Sequence, residues 1–149
     1  TVGGINTASL TAKIDLDTPG RPYGVTFADI NSDGKPEIIA SIYNTHQVTV
    51  FQNNTNAGTI SGALFLRTDL SLPTSTNPYG IHAGDVDGDG KPEIVTTSQS
   101  LLQFSVFKNS YTSGPIATSH FERKDIPTSQ YTSGLELVDV DLDGKQEII

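Results

Sequence analysis

Short runs rich in Val, Ile, Thr, Tyr and Phe recur along the chain, each broken by Gly, Pro, Asn or Ser. Ten of them, near residues 23–28, 37–43, 47–52, 63–69, 79–84, 93–98, 103–108, 119–125, 134–138 and 147–149, read as β-strands. No window shows apolar residues at i, i+3, i+4 and i+7 with capping residues at its ends, so essentially no helix is expected. The stretches 53–62, 70–78 and 109–118 are turn-rich loops of Asn, Thr, Ser, Gly and Pro. The predicted class is all-β.

The strand pattern is itself periodic. Asp29-Ile-Asn-Ser-Asp-Gly-Lys-Pro-Glu37 returns as Asp85-Val-Asp-Gly-Asp-Gly-Lys-Pro-Glu93 and as Asp139-Val-Asp-Leu-Asp-Gly-Lys-Gln-Glu147, at spacings of 56 and 54 residues. A Gly lies five residues before each first Asp (Gly24, Gly80, Gly134), and a β-branched pair follows each Glu. Val48-Thr-Val-Phe-Gln-Asn53 matches Phe104-Ser-Val-Phe-Lys-Asn109, while Lys13-Ile-Asp15, Arg67-Thr-Asp69 and Lys124-Asp125 precede the next Gly. Each repeat of about 55 residues therefore holds about four strands, which is the signature of β-propeller-type blades of four antiparallel strands. The chain contains about 2.5–3 of them, read as one repeat region over 1–149 with acidic loops at 29–37, 85–93 and 139–147.

Those loops concentrate the charge. The 149 residues contain 17 Asp plus Glu and 9 Lys plus Arg, a formal charge of −8. The eight Asp of the three loops account for all of it. Carboxylates at alternate positions of a tight loop repel one another unless a cation lies between them, and a hard divalent ion with oxygen ligands meets that need. The expected ligands are the side chains at loop positions 1, 3, 5 and 9 and the backbone carbonyl at position 7. They are Asp29, Asn31, Asp33, Glu37 and Lys35; Asp85, Asp87, Asp89, Glu93 and Lys91; and Asp139, Asp141, Asp143, Glu147 and Lys145. Three Ca²⁺ ions are expected, with the first site weakest because Asn31 replaces an Asp. An EF-hand shares the first six positions, but its bidentate Glu belongs at position 12, where this chain has Ala40 and Thr96, and its flanks are helical.

From Gly24 through Glu37, Gly80 through Glu93 and Gly134 through Glu147, with the strands ending at Asn53 and Asn109, the sequence resembles the FG-GAP repeats of integrin α-subunit propellers and the related bacterial VCBS repeats. The resemblance implies a propeller whose calcium loops join adjacent strands of a blade, structural rather than catalytic ions, and roles in adhesion. Position 9 is Glu where the integrin pattern mostly has Asp, and Tyr23-Gly24 and Tyr79-Gly80 stand where Phe-Gly would. Seven blades would need roughly 385 residues at this repeat length, so the chain is expected to belong to a longer or assembled structure, with further repeats of its own or neighbouring chains as partners.

Other functions find less in the sequence. Clustered Lys and Arg for nucleic acid are missing, and no apolar run approaches the roughly 18 residues of a membrane helix. The absence of Cys excludes disulfides, thiolate metal sites and Cys nucleophiles. His46, His82 and His120 lack a nucleophile or acid constellation and read as strand or surface residues, so the segment is not expected to be an enzyme. The alternatives are a glycan- or cell-surface-protein-binding module presenting Tyr23, Tyr79, Tyr111 and Tyr131, the non-catalytic part of a secreted carbohydrate-active enzyme, and a subunit of an extracellular filament. Asn53-Asn-Thr55 is an N-glycosylation sequon expected at an exposed strand end. Loops of modest calcium affinity imply an extracellular setting, on a bacterial surface or secreted.

Overall fold

The computed structural model describes residues 13–149, so the first twelve residues of the expected 1–149 unit lie outside the described part. Two four-stranded antiparallel meanders follow one another. The first blade is β1 (Pro22–Ala28), β2 (Glu37–Ile42), β3 (Gln47–Asn53) and β4 (Phe65–Ser71); the second is β5 (Pro78–Gly84), β6 (Glu93–Ser98), β7 (Gln103–Asn109) and β8 (Phe121–Pro127). A third begins with β9 (Leu137–Val138) and β10 (Glu147–Ile148). Three short 3-10 turns, at 43–45, 62–64 and 118–120, are the helical elements among the described residues. The blades are consecutive and the ring is not closed.

The core lies between the blades. Ile39, Val48, Val50 and Leu70 from the first pack with Ile81, Ile94, Phe107 and Ile116 from the second, all at least nine-tenths buried. β-branched and aromatic residues suit a strand covered on both faces. The effect of stacking is visible at equivalent positions. Ile81 on β5 is 3% exposed against the first blade, while its counterpart Val25 on β1, with no blade over it among the described residues, is 59% exposed.

Small residues let the innermost strands meet. Each inner strand slips register after its Pro, between Pro22 and Val25 and between Pro78 and Ile81. The freed backbone donors are met by hydroxyls on the adjacent strand, Gly24 N–H donating to Ser41 Oγ (2.9 Å) and Gly80 N–H to Thr97 Oγ1 (2.9 Å). Ser41 Oγ in turn donates across the blade junction to the Tyr79 carbonyl at 2.7 Å. A Cβ on Gly24 would lie 2.6 Å from that carbonyl oxygen, which is why the repeat keeps Gly there.

The Asn that ends each third strand locks its blade. Asn109 is fully buried; its Nδ2 donates to the Ile30 carbonyl of the first blade (2.9 Å) and its Oδ1 accepts from Tyr111 N–H (2.9 Å). Asn53, half-buried, donates to the Pro36 carbonyl (3.0 Å) and accepts from Thr55 N–H and Oγ1. The sequon at Asn53 is therefore not the exposed acceptor expected from the sequence, because its amide is engaged at the base of the first loop. Asn109→Ala is expected to cost about 2 kcal/mol, since it leaves a buried carbonyl and N–H unpartnered. Asn53→Ala should cost less than Asn109→Ala; equilibrium urea unfolding of the two variants checks the order.

Candidate metal centre

The three acidic segments fold as one loop repeated. In each, the position-2 N–H donates to the position-9 Glu: Ile30 to Glu37 (2.8 Å), Val86 to Glu93 (3.1 Å) and Val140 to Glu147 (2.9 Å). The position-6 Gly N–H donates to the first Asp: Gly34 to Asp29 (2.8 Å), Gly90 to Asp85 (2.8 Å) and Gly144 to Asp139 (3.0 Å). Position 5 donates to position 3, and position 7 to position 5, in all three copies. These are the short-range Asx bonds that Asp and Asn make readily.

The chain turns through left-handed conformations to do this. The expected position-6 glycines have φ of 82°, 84° and 94°. Position 4 is also left-handed in every copy, at Ser32 (φ 59°), Gly88 (φ 82°) and Leu142 (φ 63°). The sequence reading missed this second requirement because only Gly88 announces it. Leu142 is a branched residue held in a conformation that costs an L-residue about 1–2 kcal/mol, with its side chain in solvent.

Carboxylates converge in two of the loops. Asp85, Asp87 and Glu93 each place an oxygen within 4.8 Å of the others, and so do Asp139, Asp141 and Glu147. These two acidic clusters can hold a metal ion. Positions 1, 3 and 9 thus come together as expected, whereas the position-5 residues Asp33, Asp89 and Asp143 are outside the clusters and accept the N–H of Lys35, Lys91 and Lys145. In the first loop Asn31 stands at position 3, and Asp29 and Glu37 do not complete a three-carboxylate cluster. The donor set fits a hard cation on one further observation: Asp139 Oδ1 is buried with no hydrogen-bond partner, an acceptor without a donor beside two more carboxylates.

Position 9 has a second task. Glu37 and Glu93 are at most 1% exposed, and their Oε1 atoms accept the N–H of Asn53 and Asn109 at 3.3 Å, tying the loop to the end of the third strand. Burial pushes both carboxyls above the usual value of 4.5, against the lowering effect of these backbone donors.

Lys108, which its position in the repeat did not mark out, reaches over the second loop. Its Nζ contacts Asp87 Oδ2 and lies 3.2 Å from Asp89 Oδ2. These hydrogen bonds, to Asp87 first and Asp89 second, raise its pKa. The Lys91 N–H and then Lys108 hold Asp89 below its usual 3.8. The first blade has Gln52 at the equivalent position, and Gln52 instead accepts the N–H of Ile116 in the second blade.

The histidines are more engaged than expected. His46 and His120 are half-buried rather than free on the surface, because Nδ1 of each accepts a backbone N–H at 3.2 Å, from Asn77 and Ala117. His82 Nδ1 lies 3.7 Å from Glu136 Oε2 of the third blade. Of the tyrosines, Tyr131 is two-thirds exposed, Tyr111 donates to the Gly114 carbonyl (2.6 Å) and stacks edge-on with His120, and Tyr23 touches Tyr43 and Tyr79 at ring separations of 4.8 and 5.0 Å.

The raised pKa of Glu37 and Glu93 sets the sign of a pH dependence. Between 4.5 and the folded values the native state binds more protons than the unfolded chain, so their contribution to stability falls as pH rises through that window. Asp89 titrates below it. Urea unfolding of metal-stripped protein between pH 4.5 and 7 should show this decline, and Glu93→Gln should flatten it; a slope unaltered by that substitution would assign the effect to other groups.

Comparison with known families agrees with this architecture. Residues 39–96 match the model of the FG-GAP-like repeat, a span running from β2 of the first blade through β6 of the second and including the whole loop 85–93. No curated protein matches the chain. The matched segment 39–96 is set within a chain that carries the acidic loop three times.

Proposed function

We propose that this chain is a calcium-binding scaffold segment of an extracellular β-propeller, in which the ions brace the loops joining the first and second strands of each blade. The observation that supports it best is the convergence of Asp85, Asp87 and Glu93, repeated at Asp139, Asp141 and Glu147. All donors are oxygens, which favours Ca²⁺ over softer metals. The first loop, through Asp29, Asn31, Asp33, the Lys35 carbonyl and Glu37, is the third and weakest site. Position 5 and the carbonyls of Lys91 and Lys145 complete the proposed ligand sets. The same reading has the chain secreted or on a cell surface in an adhesive role, since loops of modest calcium affinity fill only where the ion is at about millimolar concentration. Its partners are further repeats of the same kind. No catalytic role is assigned, since the histidines hold backbone N–H groups or face Glu136.

A second reading, a glycan-binding face, is favoured by one feature. Tyr23, 43% exposed, sits between Tyr43 and Tyr79 with the Arg21 guanidinium 5.3 Å from its ring centre, at the opposite end of the blades from the acidic loops. Exposed tyrosines of this kind suit stacking on sugar rings.

Calorimetric titration of metal-stripped protein is expected to count two calcium ions with a weaker third. A site filled at 100 times its dissociation constant adds about 2.7 kcal/mol, so chelation should lower the melting temperature by several degrees. No heat of binding together with an unchanged melt would overturn the calcium reading, and glycan-array binding insensitive to chelator would favour the second.

Lys108 supplies a separate check. Its ammonium occupies carboxylate oxygens that a cation needs, and an exposed ion pair of this kind is weak enough for a divalent ion to displace. Lys108→Gln should therefore tighten calcium binding at the second loop by about two- to fivefold and leave the third loop unchanged, resolved by the same titration.

A further inference from the structure

Among the described residues, the segment before β1 repeats a piece of blade without the rest of the blade. In β4, Arg67 pairs with Asp69 (3.3 Å), and Asp69 Oδ1 accepts a hydrogen bond from Thr49 directly opposite on β3 (2.7 Å). In β8 the same three parts recur as Arg123, Asp125 and Ser105 on β7, at 3.3 and 2.7 Å. The structure thereby aligns Arg123, rather than Lys124, with Arg67. Residues 13–17 carry the first two parts, Lys13 and Asp15 paired at 2.6 Å, and their burial alternates as in a strand, with Ile14 and Leu16 turned inward.

Their placement against the first blade is also that of a fourth strand. Arg123 Nη1 donates to the Ser71 carbonyl at the end of β4 (2.7 Å), and Arg67 Nη1 donates in the same way to the Asp17 carbonyl (3.1 Å). The groove where β4 meets the second blade is lined by Leu70, Phe107, Phe121 and Arg123, and the groove where 13–17 meets the first by their counterparts Leu16, Phe51, Phe65 and Arg67, with Asp17 in place of Ser71 and Gly62 in place of Thr118. One part is absent. Asp69 and Asp125 side chains are 24% and 27% exposed beneath their hydroxyl partners, whereas Asp15 is 77% exposed.

We propose that residues 13–17 are the outer strand of a further FG-GAP-like blade, and that the edge they leave unpaired among the described residues takes that blade's third strand antiparallel, with a Ser or Thr hydroxyl opposite Asp15. The occupant is specified by chemistry present twice in this chain: a strand of the form apolar-Ser/Thr-Val-Phe-x-Asn, as in Val48–Asn53 and Phe104–Asn109. Its register follows from Val50 facing Thr68 on β4, the counterpart of Ile14. Strand addition to an open edge provides main-chain hydrogen bonds, and the hydroxyl–carboxylate pair selects the register. The exposed Val25 and Phe27 of β1, each 59% exposed, lie on the blade face that this further blade would cover. This inference deepens the propeller-scaffold reading and rests on it.

The absence of cysteine makes a register test direct. Ile14→Cys gives the full chain a single thiol, and synthetic peptides spanning residues 46–54 carry one Cys in place of Val48, Val50 or Gln52. Under glutathione exchange, the peptide with Cys at 50 is expected to form the mixed disulfide at least fivefold in excess of the other two. The excess should fall when Thr49 of that peptide is replaced by Val. Equal yields for the three peptides, or disulfide-linked dimers of the chain as the dominant product, would overturn the proposal. Calcium titration of the same Ile14→Cys chain separates the two readings, because unchanged ion binding with no register preference removes this inference and leaves the calcium reading standing.

Discussion

A buried carboxylate with two backbone donors on opposite sides of it is the joint on which each blade turns. Glu37 and Glu93 accept from the second residue of their own loop and from the Asn that ends the third strand. One side chain thus fixes the loop, the hairpin behind it and the distance between them. A carboxylate in that position is costly to bury without donors and strong once it has them. In the second loop Glu93 also places an oxygen near those of Asp85 and Asp87, so the structural joint and a cluster that can hold a metal ion share a residue.

From this joint the order passes outward to the next blade. Asn109, held by Glu93 through its backbone, uses its side chain to reach the Ile30 carbonyl in the loop of the preceding blade. Gln146 of the third loop donates its N–H to the Asp85 carbonyl of the second (2.9 Å). The loops are therefore linked to one another as well as closed on themselves, at one end of the stack. At the other end the slipped Pro-Tyr-Gly strands bring Ser41 to the Tyr79 carbonyl, and at the rim the arginines grip the preceding outer strand. Apolar burial between the faces supplies the bulk of the stabilisation, and these polar links set the angle at which one blade follows another. Quasi-one-dimensional stability of this kind makes each blade dependent on its neighbours, which the contrast between Ile81 and Val25 displays.

The sequence by itself determined the all-β class, the ten strands to within two or three residues, the period and the three loops, because each rests on local chemistry repeated in register. Turn residues at fixed offsets and β-branched pairs after each Glu leave little choice of conformation, and three copies remove the ambiguity of one. The left-handed position 4 stayed hidden because Ser32 and Leu142 do not look like residues that need it. Only the tertiary structure decided which acids converge, since a spacing of two residues places carboxylates near one another without saying where each finds its donor; Asp33, Asp89 and Asp143 turn to backbone N–H groups. Tertiary structure also decided the roles of Lys108, Arg123, Asn53 and the histidines. Lys108 with Asp87, Arg123 with Ser71, Asn53 with Pro36, His46 with Asn77 and His82 with Glu136 meet across separations that no local pattern encodes, and a side chain's function there is set by what the packing brings opposite it.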